Sequence, residues 1–501
     1  MLRKIRIIMA SFAFVLITLL FLDFTGTLHA WFGWIAKIQL ISAVLALNTG
    51  VITALVLLTL LFGRIYCSVI CPLGVFQDVV SWFAGKRRKN RFRYSSALLW
   101  LRYGVLTVFL LALIFGISSV FTLLEPYSAY GRIAGNLFAP VYQLGNNLLA
   151  SFAERIDSYA FYSVDVWLKS GLTFIIAVGT LIVVAVLSWR GGRTYCNTIC
   201  PVGSVLGFLS KYSLFRPAID ETKCNECGLC ARNCKSSCID AKAHKIDYSR
   251  CVSCMDCIDK CRQNAMTCSL RPLTSTKQPA TVSGTVDATT ENGRSRRRFL
   301  SLTALFAVGA ALKAQNKIAD GGLAVIEDKK IPVRKTPVVP AGTQSLRNMS
   351  RHCTACQLCV SVCPNQVLRP SSDLSRFMQP EMSFERGYCR PECVKCTEVC
   401  PPNAIKRITT ADKSAIQIGR AVWIKENCVV NTDDVTCTNC ARHCPTGAIT
   451  LVPRNPETSN SLKIPTIDNE RCIGCGACEN LCPARPFSAV YVEGNIIHHT
   501  I

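Results

Sequence analysis

Three absences narrow what this 501-residue chain can do. It holds no Cys-x2-Cys-His, so covalent c-type haem is not indicated. It has no nucleotide-phosphate motif and no sign of a molybdenum or flavin site, which argues against a self-contained terminal reductase. Acidic residues are scarce: 32 Asp and Glu stand against 56 Lys and Arg, a formal net charge of +24. The basic residues lack the aromatic interleaving of a nucleic-acid surface, and no nucleic-acid partner is expected. They fall beside apolar spans and around cysteines, and unevenly: residues 1–315 carry 34 basic against 15 acidic residues, residues 316–501 carry 22 against 17.

What is abundant is cysteine, 30 in all, most of it in quartets. Four quartets end in Cys-Pro: Cys353, Cys356, Cys359, Cys363; Cys389, Cys393, Cys396, Cys400; Cys428, Cys437, Cys440, Cys444; and Cys472, Cys475, Cys478, Cys482. The first and fourth have the spacing Cys-x2-Cys-x2-Cys-x3-Cys-Pro, in which three thiolates on a tight loop hold one 4Fe-4S cubane and the fourth serves a neighbouring cluster. Zinc sites use two Cys pairs rather than three evenly spaced thiolates, and disulfide frameworks belong to small secreted domains. Two further quartets, Cys224, Cys227, Cys230, Cys234 and Cys251, Cys254, Cys257, Cys261, form a two-cluster ferredoxin unit of short βαβ halves, with Lys235 and Arg262 where Pro is usual. Exchange between halves gives one cluster Cys224, Cys227, Cys230 and Cys261, and the other Cys251, Cys254, Cys257 and Cys234. Cys238 and Cys268 are left over as free thiols, although Cys238 is close enough in sequence to replace Cys234. Six 4Fe-4S clusters are therefore expected. At about −2 each with their thiolates, they offset part of the basic surplus.

Apolar runs at Ile5–Leu22, Leu40–Phe62, Tyr103–Leu124 and Leu172–Trp189 each approach the length of a membrane crossing. The basic flanks Arg3, Lys4 and Arg6, and Lys86 to Arg93, place the N-terminus and the second connection in the cytoplasm, with Trp31 and Trp34 in the outer interfacial belt. Gly63-Arg64-Ile65-Tyr66-Cys67-x3-Cys71-Pro72-Leu73-Gly74 recurs as Gly192-Arg193-Thr194-Tyr195-Cys196-x3-Cys200-Pro201-Val202-Gly203, each copy directly after an even-numbered span. Cys67, Cys71, Cys196 and Cys200 could supply four soft ligands to one more centre or form a redox thiol site; the alternative is two tight helix exits.

The expected architecture is an α-helical membrane domain of four spans with a fifth signal-anchor, joined to two ferredoxin-like α+β iron–sulfur domains. Its parts are a membrane domain at 1–215, a two-cluster domain at 216–268 and a flexible Ser/Thr/Pro/Gln linker at 269–293. Then come a twin-arginine segment at 294–315, an extended Pro-spaced tether at 316–348 and the four-cluster domain at 349–501. Ser295-Arg296-Arg297-Arg298 before the apolar run Phe299–Leu312 looks like an internal twin-arginine export signal, uncut for lack of Ala-x-Ala, or a basic stop on a buried helix. Export after folding suits clusters that are built in the cytoplasm.

Residues 1 to about 268 resemble the NapH type of membrane quinol dehydrogenase, to which NosR-like proteins are related. Roughly 294–490 resembles NapG, its four-cluster ferredoxin partner in periplasmic nitrate reduction, so the chain looks like a fusion of the two. The resemblance implies a multi-pass protein of the bacterial inner membrane, with residues 216–268 cytoplasmic and 316–501 periplasmic. It implies electron transfer from the quinone pool to a periplasmic reductase or cytochrome. It further implies pairing of the first quartet with the fourth and the second with the third: Cys353, Cys356, Cys359 with Cys482; Cys472, Cys475, Cys478 with Cys363; Cys389, Cys393, Cys396 with Cys444; and Cys428, Cys437, Cys440 with Cys400. Quinol oxidation needs proton acceptors at the lipid level, and Asp23, His29 and Glu125 map to the outer face, where ordinary interfacial residues also sit. Three other readings fit the same residues: outward flow from a cytoplasmic donor, a membrane assembly factor supplying electrons or metal to a partner, and a zinc-bound scaffold.

Overall fold

The computed structural model describes residues 2–86, 92–158, 161–270, 318–319, 324–325, 328–457 and 461–501. The twin-arginine segment and the linker lie outside these residues, except that Ser269 and Leu270 end a strand.

Two of the four expected spans are continuous helices. Leu2–Leu22 contains neither Gly nor Pro, and Gly171–Gly191 starts where Ser170 Oγ accepts from Thr173 N. Both have 21 residues and a mean hydropathy of 2.5. At 1.5 Å per residue each is about 31 Å long, the thickness of a hydrocarbon core. The other two expected spans are broken. Leu40–Phe62 divides into Leu40–Leu45 and Thr49–Phe62 because Leu47 adopts a left-handed φ of 53° and Asn48 caps the second helix by accepting from Val51 N at 3.2 Å. Tyr103–Leu124 divides at Gly116, φ 73°, into Leu99–Phe115 and Ser118–Leu124. Among the described residues two helices, rather than the four expected, are long and apolar enough to cross a membrane. The outward side chains of the bundle are apolar and uncovered: Ile8, Trp31, Trp100, Ile114, Phe115 and Ile175 are each well over half exposed.

The two-cluster domain pairs strand Phe215–Ile219 antiparallel with Met266–Leu270, and Ile239–Asp240 with Lys245–Ile246, around the short helices Leu229–Arg232 and Asp256–Lys260. Charge docks it on the bundle. Arg3 reaches Asp256 at 2.8 Å and Asp259 at 3.0 Å, while Lys235 bridges Asp256 at 3.0 Å and Asp78 at 3.7 Å. Asp78 also binds Arg6 and Arg193, each at 2.9 Å. Lys235, standing where a ferredoxin usually has Pro, is therefore a docking residue.

The four-cluster domain contains three two-stranded sheets, Leu368–Pro370 with Pro380–Met382, Ile449–Pro453 with Lys463–Ile467, and Ile416–Trp423 with Val490–Thr500. The expected tether is extended from 328 onward but is woven into this domain rather than free. Met382 N donates to Val338 O, Gly494 N to Thr336 O and Lys406 N to Gly342 O, and Val338 and Val339 are fully buried.

The two domains occupy opposite ends of the long helices. At the start of Leu2–Leu22, Arg3 holds the two-cluster domain; just past its end, Thr25 O accepts from Lys395 Nζ of the four-cluster domain at 2.9 Å. On Gly171–Gly191 the order is reversed, as an antiparallel helix requires. Lys169 Nζ donates to Val360 O at 3.1 Å before it, and Arg193 N donates to Lys235 O at 2.9 Å after it.

Replacing Lys235 by Met leaves two buried carboxylates short of a partner, and the expected cost is about 1–3 kcal/mol. The check is a lower thermal midpoint together with faster proteolytic release of residues 216–270 from the purified protein. A midpoint and cleavage rate equal to wild type would show that docking does not depend on this ion pair.

Candidate metal centres

The cysteine loops share a backbone form. In four of them the middle cysteine is flanked by two left-handed residues: Glu226 and Gly228 around Cys227, Ser253 and Met255 around Cys254, Ala355 and Gln357 around Cys356, and Gly474 and Gly476 around Cys475. Such alternation turns successive N–H groups toward one concave side, a natural cradle for an anion. The irregular spacings break it: Val394 and Thr438, after Cys393 and Cys437, keep negative φ values of −115° and −126°. N–H donors reach the sulfurs directly, from Ala355 to Cys353 at 3.4 Å, Ile405 to Cys400 at 3.4 Å and Ala489 to Cys482 at 3.3 Å.

Each loop of three cysteines meets a fourth from another loop. Cys224, Cys227, Cys230 and Cys261 line one cavity, and Cys234 lies with Cys251, Cys254 and Cys257, the exchange expected for the two-cluster unit. In the four-cluster domain the expected first-with-fourth and second-with-third pairing is not found. Cys400, not Cys482, lies with Cys353, Cys356 and Cys359. Cys363 lines a cavity with Cys389, Cys393 and Cys396. Cys444 lines another with Cys472, Cys475 and Cys478, and Cys482 lies with Cys428, Cys437 and Cys440. The reason is local. Helix Leu358–Val362 packs on Lys395–Val399, and the hairpins after Cys363 and Cys444 return the chain so that sequence-adjacent quartets complete each other.

Burial pushes Cys356 and Cys475 up to about 12, and Cys400 and Cys440 up to about 11. Sulfurs in such surroundings are thiolates at neutral pH only when bound metal stabilises the anion. The donor set, thiols alone and in threes on one tight loop with a fourth from another loop, fits a cubane rather than zinc.

The two copies of the repeated Gly-Arg-x-Tyr-Cys motif also converge. Cys67, Cys71, Cys196 and Cys200 are all 3–4 % exposed and lie within electrostatic reach of one another. Gly63 and Gly192, with φ of 71° and 69°, end their helices against the two-cluster domain. A Cβ there would stand 2.8 Å from Ser253 Oγ and 2.5 Å from Lys235 O, respectively. Pro72 and Pro201 then start helices Pro72–Gly85 and Pro201–Ser210, capped by Cys71 and Cys200, so these two sulfurs face the positive helix ends. The copies interlock reciprocally: Arg64 donates to Cys196 O at 3.0 Å and Arg193 to Cys67 O at 2.5 Å.

The three candidate proton acceptors separate. Asp23 and His29 meet, with Asp23 Oδ2 3.1 Å from His29 Nδ1, but Asp23 also accepts from Thr25 N and Oγ1 and from the N–H groups of Gly26, Leu28 and His29. It is a buried cap holding the turn after the first helix. Glu125 stands elsewhere, as N-cap of helix Pro126–Ile133, accepting from Ser128 N at 3.0 Å. Ser128 Oγ in turn donates to Thr354 O, beside Cys353, at 2.5 Å.

Two family models match the chain: a 4Fe-4S binding domain over residues 45–91 and 170–220, and a 4Fe-4S dicluster domain over 435–485. The ferredoxin-type protein NapG of Escherichia coli is 32 % identical over 231 residues, covering 42 % of this chain and 91 % of NapG. The chain belongs to the NapG and MauM family of ferredoxin-type proteins. The methylamine utilization ferredoxin-type protein MauM of Methylobacillus flagellatus is 31 % identical over 166 residues, 32 % of this chain and 70 % of MauM. A putative electron transport protein of Escherichia coli, YccM, is 24 % identical over 264 residues, 50 % of this chain and 67 % of YccM. No solved structure matches. Like its ferredoxin-type kin, the protein is an iron–sulfur electron-transfer protein that binds 4Fe-4S clusters. The first model spans both interlocked motifs, so it covers Cys67, Cys71, Cys196 and Cys200.

Sequence reading missed Arg64, Arg193 and Asp78 as site residues; the Gly-Arg pair in both repeats was the available signal. Cys238, expected as a free thiol close enough in sequence to replace Cys234, has its sulfur 3.5 Å from Cys234 Sγ.

The pairing is open to test. Cys400→Ser should alter the same cluster resonance as Cys353→Ser and spare the cluster on Cys389, Cys393 and Cys396. Electron paramagnetic resonance showing that Cys482→Ser, instead, disturbs the Cys353 cluster would restore the first-with-fourth pairing.

Proposed function

We propose that this ferredoxin-type protein is a membrane-spanning iron–sulfur relay with six 4Fe-4S clusters and a seventh centre at Cys67, Cys71, Cys196 and Cys200. In this reading it passes electrons between the quinone pool and a periplasmic reductase or cytochrome. The observation that carries this reading is the placement of the two cluster domains at opposite ends of the same two apolar helices. Lipid would cover the exposed apolar belt of the bundle. The two-cluster domain would face the cytoplasm and the four-cluster domain the periplasm.

The bound clusters would supply one-electron carriers; the chain supplies their order. Arg64 touches both Ser249 O, two residues before Cys251, and Cys196 O, joining the two-cluster domain to the membrane cysteines. Tyr195 OH donates to Leu124 O at 3.4 Å, and helix Pro126–Ile133 backs onto the Cys353 loop, where a Cβ on Gly131 would stand 2.5 Å from Cys356 O. Beyond that, Cys389 N donates to Cys475 O at 2.9 Å. The sites thus follow one another as a line, ending at Cys428, Cys437, Cys440 and Cys482. Glu125 is the candidate proton acceptor that stands on this line, whereas Asp23 is engaged in its turn. A second reading, entry from a donor on the two-cluster side, draws support from the same end-to-end order.

Anaerobically purified protein should contain about 28 iron and 28 acid-labile sulfide, at four of each per cubane. In spheroplasts, added protease should digest residues beyond about 328 in the wild type and leave them intact when Arg296 and Arg297 are both Lys. Protection in the wild type would place every cluster on one side. In nanodiscs, quinol should reduce the clusters steadily, and Glu125→Gln should slow that reduction by about 10²-fold with iron content unchanged. Reduction by a cytoplasmic ferredoxin but not by quinol would favour the second reading.

A further inference from the structure

The two interlocked repeats are not electrically equivalent. Arg193 is gripped by a carboxylate: its Nε and Nη2 donate to the two oxygens of Asp78, each at 2.9 Å. By repeat symmetry the residue that should answer Arg64 in the same way lies seven positions after Cys200, as Asp78 lies seven after Cys71. That residue is Gly207. No carboxylate can be accommodated there, since a Cβ on Gly207 would stand 1.8 Å from Arg102 Nη2 and 2.4 Å from Ser249 O. A second guanidinium fills the place of the missing acid.

Arg64 and Arg102 are 0 % and 2 % exposed. Arg64 donates to Asn197 Oδ1 at 2.8 Å, Cys196 O at 3.0 Å and Ser249 O at 3.2 Å, with Nη2 3.9 Å from Cys67 Sγ. Arg102 donates to Ser249 Oγ at 3.2 Å, Ser249 O at 3.1 Å, Gly203 O at 3.1 Å and Ser204 O at 3.5 Å. Among the described residues no carboxylate comes within 4 Å of either guanidinium. Asp247, the acid of that neighbourhood, is held by Arg250 at 2.7 Å and by Ser249. Two buried cations answered only by neutral groups are costly unless an anion stands beside them. Cys67 Sγ, 3.9 Å from Arg64, belongs to the four-thiol group, and a cubane with four thiolates carries about −2.

We infer that Arg64 is the counter-charge of an iron–sulfur centre held by Cys67, Cys71, Cys196 and Cys200, with Arg102, packed against Gly203 O and Ser204 O, adding its charge from behind. Through the missing carboxylate at Gly207 they raise its reduction potential, so that an electron is held at the junction between the two cluster domains. This rests on the seventh centre proposed above. Positive charge beside a cluster favours its reduced, more negative form, whereas the charge of Arg193 is answered by Asp78, a carboxylate it shares with Arg6 and Lys235. Arg64 is a positioning and tuning residue, not a ligand.

The test is a redox titration followed by electron paramagnetic resonance on full-length protein, with iron measured in parallel. First, Cys71→Ser with Cys200→Ser should remove about four iron per chain; no loss would remove the seventh centre itself. Then Arg64→Gln should move the midpoint of that centre to a more negative potential, and Arg64→Lys should move it less. Asp78→Asn should move it the opposite way by freeing the charge of Arg193, a sign that general loosening of the site would not produce. Arg102→Gln should repeat the direction of Arg64→Gln. Full iron content with midpoints unchanged in Arg64→Gln and Arg102→Gln would overturn the counter-charge role while leaving the centre standing. Shifts of the same sign in Arg64→Gln and Asp78→Asn would overturn it as well.

Discussion

Four arginines, Arg64, Arg102, Arg132 and Arg193, are at most 2 % exposed, and the architecture follows from what answers their charge. A guanidinium cannot lose its proton at physiological pH and has five N–H donors to satisfy, so each one dictates the position of several partners. Arg64 and Arg193 each donate to the backbone of the opposite cysteine motif, which locks the two copies face to face, and Asp78 answers the charge of Arg193. Arg132 turns to Thr122 O at 2.8 Å, tying helix Pro126–Ile133 back to the end of the preceding helix. The broken spans make sense in this light. A helix that ran straight through Gly116 or Asn48 could not bring the motifs and the Glu125 turn to the same centre.

The two cluster domains are held by a different principle. Their strands and helices are only two to eleven residues long, and the cysteine sulfurs themselves are counted among the buried core. With so little apolar surface to bury, folding is coupled to the bound cluster. Left-handed backbone on both sides of the middle cysteine costs strain of order 1–3 kcal/mol per residue where it is not Gly, and the N–H groups it points inward answer the negative charge there. Sequence-adjacent quartets complete each other because a short hairpin is the least entropic route between two loops that must meet.

Electron transfer in such a chain is decided by order and spacing more than by any one residue. The order is imposed at three joints of unlike chemistry. Buried ion pairs around Asp78 and Asp256 dock the two-cluster domain, and hydrogen bonds from Ser128 and Lys169 dock the four-cluster domain. The Cys389–Cys475 backbone contact joins the two halves of the latter. Trp167, with the guanidiniums of Arg369 and Arg386 each 4.5 Å from its ring centre, pins the connection before helix Gly171–Gly191 to the same domain.

By itself the sequence determined where the cysteine loops lie, because three closely spaced thiols on one tight turn are written in consecutive residues. It likewise showed the repeat, the apolar spans and the exchange inside the two-cluster unit, all carried by local spacing. What only the tertiary structure decided is which fourth cysteine meets which loop of three in the last third of the chain, that two of the apolar runs are interrupted, and that Asp23 caps a turn while Glu125 caps the helix that packs on the Cys353 loop. The reason is the same each time. A fourth ligand, a kink or a buried charge is selected by residues distant in the chain, and pairwise spacing carries no record of them. Lys235 illustrates the divide: in sequence it is a departure from Cys-Pro, and only the meeting of Asp78 and Asp256 across the docking surface shows why a cation stands there.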